Sequence, residues 1–107
     1  MQRMYRKALA RADRATVRAM AKAPGMPPEL MRQLACDTDV EIRACVANNA
    51  DTPPDVLERL LREDCLEVRR AVAYNPAVTV DQLRRLAEAP EQELARYARD
   101  LLIGKLA

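Results

Sequence analysis

Apolar residues recur along this chain at a fixed interval. Leu34, Leu60 and Leu86 stand 26 residues apart, as do Met31, Leu57 and Leu83, and as do Ile42, Val68 and Leu94. Polar positions keep the same interval. Glu41, Glu67 and Glu93 correspond, Arg43 maps to Arg69, Asn49 to Asn75, Pro28 to Pro54, and Glu29 to Asp55 and Asp81. Amphipathicity alone does not require polar residues to repeat with the apolar ones, so the pattern reads as an internal structural repeat.

Each repeat predicts two helices. The first opens at proline: Thr52-Pro53-Pro54-Asp55 offers a threonine N-cap, prolines in the first turn and an acid at the positive helix end. Met26-Pro27-Pro28-Glu29 and Thr79-Val80-Asp81 read as weaker copies. Leu57, Leu60 and Leu61 then form one i, i+3, i+4 stripe, and Leu83, Leu86 and Ala87 form another. After a short acidic turn the second helix carries Val40–Ala47 or Leu66–Ala73 and closes at Asn48-Asn49 or Tyr74-Asn75-Pro76. Asparagine there suits a left-handed C-terminal turn, and Pro76 stops the helix. Each leucine buried between stacked repeats is expected to stabilise the fold by about 1.5–3 kcal/mol.

The expected fold is therefore all-α: a short α-solenoid of 26-residue helix pairs, with no sheet. The chain reads as one domain over 1–107. A basic capping helix covers 1–25, and repeats cover 26–53, 54–79 and 80–107. The last repeat degenerates into a cap, because Arg43 and Arg69 become Ala95, and Asn49 and Asn75 become Leu101.

Composition narrows the function. Among 107 residues there is no Phe, Trp or His, and the aromatics are three tyrosines. No apolar run approaches the roughly 18 residues of a membrane span. Three cysteines without C-x-x-C spacing argue against a disulfide framework and for a reducing, cytoplasmic setting. Histidine and serine are both absent, and the only glycines are Gly25 and Gly104, so there is neither a serine triad nor a glycine-rich phosphate loop. The carboxylates follow the repeat instead of breaking it. No catalytic residue, and hence no enzyme activity, is expected. The alanine- and arginine-rich bias fits a bacterial source more simply than a mitochondrial presequence.

Asn75-Pro76 followed by Leu83-x-x-Leu86-Ala87, with Asp39-x-Glu41-Ile42-Arg43-Ala44-Cys45-Val46-Ala47-x-Asn49 upstream, resembles the leucine-rich repeat variant family over about residues 26–99. The resemblance implies a right-handed superhelix, akin to HEAT-like solenoids, in which α-helices alternate with shorter, often 3₁₀, helices, and it implies no common enzymatic activity. One member of that family holds an iron–sulfur cluster on a separate cysteine-rich segment. A four-iron cluster usually takes four cysteine ligands, and this chain has three without cluster spacing. No cofactor and no metal ligands are expected.

Arg43 and Arg69 form a row, extended by Arg70 and Arg96 one position on. One reading is a guanidinium ladder for an acidic partner. The other is that each arginine bonds the acidic turns through Asp39, Glu63, Asp64 or Glu67, and the joint repetition of acids and bases favours it. Residues 1–24 carry a net charge of +6 against −4 for the remainder. Arg3, Lys7, Arg11, Arg14, Arg18 and Lys22 fall on one helical stripe and are expected to face solvent, with an alanine-rich side packed on the first repeat. Cys45 aligns with Ala71 and is expected in the packed face, while Cys36 and Cys65 align with polar positions. The leading expectation is a cytoplasmic, non-catalytic module that binds another protein. Nucleic-acid binding through the arginine row and basic first helix is the alternative, opposed by the acidic body and the lack of stacking aromatics. A metal or redox accessory role, resting on the family association and the three thiols, is a third.

Overall fold

The computed structural model describes the backbone of residues 2–106 and the side chains of residues 7–105. Among the described residues the chain forms eight α-helices and no strand: α1 Gln2–Arg11, α2 Arg14–Lys22, α3 Pro28–Leu34, α4 Val40–Asn48, α5 Pro54–Leu60, α6 Leu66–Tyr74, α7 Val80–Leu86 and α8 Gln92–Leu106. The molecule extends 45 × 22 × 18 Å along its principal axes. Helix α2 packs on α4, α4 on α6, and α7 on α8.

The apolar stripes make the core. Leu30, Met31 and Leu34 from α3, Val56, Leu57 and Leu60 from α5, and Leu83 and Leu86 from α7 are all buried. They meet Ile42, Val46 and Ala47 from α4, Val68, Val72 and Ala73 from α6, and Leu94 and Ala98 from α8. Small side chains at Ala47, Ala73 and Ala98 let helices approach closely, and the branched residues beside them fill what remains.

Three local expectations change. The first concerns the basic leader: a single helix over 1–25 does not form. The helix stops at Arg11, and Asp13 takes an extended conformation and caps α2, its carboxylate accepting the Thr16 N–H at 2.7 Å. That bond also holds the Asp13 carboxyl below its ordinary pKa. The second concerns Thr52, which does not cap α5. Its hydroxyl donates to the Val46 carbonyl at 2.6 Å, and Pro53 occupies the cap position without a side-chain bond. The fullest cap belongs to α7, where Thr79 accepts from the Gln82 N–H and the Gln82 side chain accepts from the Thr79 N–H. The third concerns the asparagines: Asn49 and Asn75 are extended, not left-handed, with φ of −79° and −69°. Helix α8 runs on past Leu101, as its missing asparagine suggests, and reaches Leu106.

Candidate interaction surface

Two sets of polar side chains tie neighbouring segments together. The buried Asn49 amide donates to the Ala21 and Ala23 carbonyls at the end of α2, at 2.9 and 3.0 Å. Asn75, only 1% exposed, donates to the Ala47 and Asn49 carbonyls at the end of α4, both at 2.8 Å. Their side-chain oxygens accept the Asp51 and Ala77 N–H groups. Each asparagine thus satisfies carbonyls that the preceding helix end leaves without intrahelical partners. The structure assigns these residues a long-range bracing role that a local turn reading misses. The signal was present in the sequence: both asparagines recur with the Ala47 and Ala73 core positions.

The arginines supply the second set. Arg43 directs Nε at both Glu63 carboxylate oxygens, each 3.1 Å away, and its Nη1 donates to the Asp37 carbonyl at 2.8 Å. Arg69 makes a bidentate pair with Glu91, both bonds 2.7 Å, and reaches the Asp64 carbonyl. The Arg69 guanidinium holds the Glu91 carboxyl well below its ordinary 4.5, at about 2. The same bond raises Arg69. These two guanidiniums are engaged between successive turns and do not form a free basic ladder. Glu63 was among the expected partners, whereas Glu91 was not.

The basic stripe is likewise divided. Lys7 and Arg11 are exposed on α1. Arg14 bonds Asp37 at 2.6 Å, and Arg18 pairs with Glu41 at 3.0 Å. Arg14 stays 53% exposed and Arg18 is half-buried, so both remain at the surface while they pair with acids beside the start of α4, and Lys22 is exposed. Arg3 lies outside the described side chains. Arg96 is exposed on α8, and Arg70 and Lys22 lie beside the surface hollows described next.

Between α4 and α6 lies a mostly apolar hollow of about 240 Å³, lined by Glu41, Ala44, Cys45, Asn48, Glu67, Arg70, Ala71 and Tyr74. A smaller one of about 160 Å³ is lined by Lys22, Cys45, Asn48 and Asn49. Cys45, expected in the packed face, is half-buried against the core and also lines both hollows, and its burial pushes its thiol pKa up. Cys36 is exposed and Cys65 half-buried. Tyr97 stands at the position equivalent to Cys45 and Ala71, and its ring meets Tyr74 edge-on at 4.8 Å.

Among the described residues no three His, Cys, Asp or Glu side chains come together to hold a metal ion, and no helix is long and apolar enough to cross a membrane. No protein-family model, no curated protein and no solved structure matches the chain.

Proposed function

We propose that the chain is a non-catalytic protein-interaction module: a short right-handed solenoid of 26-residue helix pairs, similar to the leucine-rich repeat variant and HEAT-like proteins and working in the cytoplasm. The solenoid reading is supported by the starts of α3, α5 and α7 at residues 28, 54 and 80, and by asparagine braces that reach one repeat back. Stacked repeats of this kind present a continuous side.

One observation carries the binding reading. The side formed by α2, α4 and α6 keeps an apolar hollow of about 240 Å³ beside a tyrosine that is 53% exposed. Aromatic residues next to a concave apolar surface are the usual anchors of protein interfaces. Arg43 and Arg69, on which the nucleic-acid reading leans, are tied to carboxylates, which favours the protein reading.

Affinity capture from an extract of the source cell tests the proposal, using the wild-type chain and Ala71→Glu, with and without nuclease. The proposal expects a protein that survives nuclease and is released by the substitution. Retention of every captured protein by Ala71→Glu overturns this face as the binding side. Loss of the captured material on nuclease treatment transfers the function to nucleic acid.

A further inference from the structure

The leading helix pair keeps the spacing of the others and breaks their charge pattern. Helices α1, α3, α5 and α7 begin at residues 2, 28, 54 and 80, and α2, α4, α6 and α8 begin at 14, 40, 66 and 92. Every helix from α3 to α8 carries an acid in its first turn: Glu29, Glu41, Asp55, Glu67, Asp81 and Glu93. Neither α1 nor α2 does. Arg3 stands 26 residues before Glu29, in the series that continues through Asp55 and Asp81, and Arg11 stands 26 before Asp37, in the series of Glu63. We propose that this reversal makes α1 a docking surface for a short acidic segment of a partner protein, an inference that rests on the protein-interaction reading above and names the charge of what is bound.

Folding does not account for the reversal. An acid in the first turn is attracted to the positive end of its helix, and a cation there is repelled. Arg3, Lys7 and Arg11 follow one another at four-residue spacing, at which like charges on a helix oppose each other. With Arg6, α1 holds four cations and no acid. Lys7 and Arg11 are exposed, and neither pairs with a carboxylate among the described residues. Asp13 is the one acid among residues 1–24, and its carboxylate is occupied in capping α2 at the Thr16 N–H. The other side of α1 is committed, since Leu9 and Ala12 pack against the core.

The class of partner follows from how far the positive charge extends. Residues 1–24 carry +6 and the remainder −4. A nucleic acid carries a charge about every 3.4 Å along each strand. Laid along a molecule 45 Å in length, it runs on from α1 against the acidic remainder. A single strand also calls for several stacking aromatics, and α1 and α2 together hold one, Tyr5. A membrane surface calls for a free apolar side, which α1 has given to the core. A short acidic segment meets Lys7 and Arg11, about 6 Å apart along the helix axis, and ends before the acids beyond.

Fluorescence anisotropy with the full chain tests this, using three labelled probes. They are a peptide with eight glutamates, the same peptide with glutamines, and a nine-nucleotide oligothymidylate with eight phosphates. The glutamate peptide is expected to bind at low salt and to weaken as salt rises. Lys7→Gln with Arg11→Gln is expected to weaken it about fivefold, the scale of two exposed ion pairs. The same loss of charge at exposed Arg59 and Arg84, on α5 and α7, is expected to leave binding unchanged. Arg3→Glu restores the acid found at the equivalent positions. It is expected to weaken the peptide at least as much while the melting midpoint holds or rises, so the loss is read on a folded protein.

Equal weakening by the two double variants overturns the inference, as does equal binding of the glutamate and glutamine peptides. Tighter binding of the oligothymidylate than of the glutamate peptide overturns it too, as does no binding at all. If the glutamate peptide fails while Ala71→Glu still releases a captured protein, only the acidic ligand falls. If Ala71→Glu also releases nothing, the interaction reading falls with it.

Discussion

Replacing Asn75 by alanine removes three hydrogen bonds at once. Two are donated by its amide to the Ala47 and Asn49 carbonyls, and one is accepted from the Ala77 N–H. The Asn49 carbonyl keeps the Thr52 N–H as a second partner, at 3.1 Å. The Ala47 carbonyl and the Ala77 N–H lose the bonds that the side chain supplied. At about 0.5–1.5 kcal/mol net for each bond, the cost is about 1.5–4.5 kcal/mol. That is a large fraction of the roughly 5–15 kcal/mol that holds a domain together. A central value of about 3 kcal/mol lowers the melting midpoint by roughly 12–24 °C. Urea denaturation followed by circular dichroism measures the change, with an unaltered slope showing that the folded state is otherwise the same. The exposed neighbour Asn48 is the control: Asn48→Ala is expected to stay within about 0.5 kcal/mol. Asn75→Asp sharpens the test, because it keeps the shape and turns the donor toward two carbonyls into a carboxylate. Burial beside those oxygens raises the folded-state pKa of the new carboxyl above its unfolded value. The folded state then holds a proton that the unfolded state has lost, so stability falls as pH rises through that interval and recovers on acidification. An Asn75→Ala cost no larger than that of Asn48→Ala would refute the bracing argument.

Further outcomes follow from the same contacts. Leu60→Ala removes a fully buried side chain and is expected to cost about 2–5 kcal/mol, whereas exposed Arg59→Ala changes the urea midpoint little. Glu91 titrates at about 2 when folded against an ordinary 4.5. Its contribution is complete above 4.5 and is lost as pH falls toward 2, so the acid limb of stability against pH should flatten in Glu91→Gln. Brief maleimide labelling followed by mass spectrometry should modify exposed Cys36 before half-buried Cys45 and Cys65. Arg14→Gln should cost no more than about 1 kcal/mol, since its pair with Asp37 is open to solvent, and the loss should shrink in high salt.

Helix content was legible because the leucine and valine positions carry two independent signals, helical spacing within a segment and the 26-residue interval between segments. The starts of α3 and α5 were readable from proline and acid and that of α7 from threonine and acid, but not which residue caps them. Thr52 and Thr79 look alike in sequence, yet only Thr79 has a glutamine three positions on to complete a reciprocal cap. The break at Asp13 was missed because the basic spacing runs through it unbroken, whereas the cap depends on one carboxylate reaching the Thr16 N–H. The pairing of Arg43 and Arg69 with acids was legible as a class from their joint repetition. Glu63 was within that reading for Arg43, but Glu91 was not for Arg69, which reaches 22 residues ahead. The hollow beside Cys45 had no sequence signal. It is a difference in volume between small residues on two helices and a tyrosine on a third, and it exists only once the helices are side by side.

Site-specific photo-crosslinking in the source cell shows directly whether the hollow side touches a protein. A benzophenone side chain is introduced at Ala71, on the hollow side, and separately at Arg59 on α5, which takes no part in that face. Irradiation and mass spectrometry then identify what each position touches. The account predicts a discrete protein adduct from position 71 and none from position 59. Adducts only from position 59, or a nucleic-acid adduct from position 71, would contradict it.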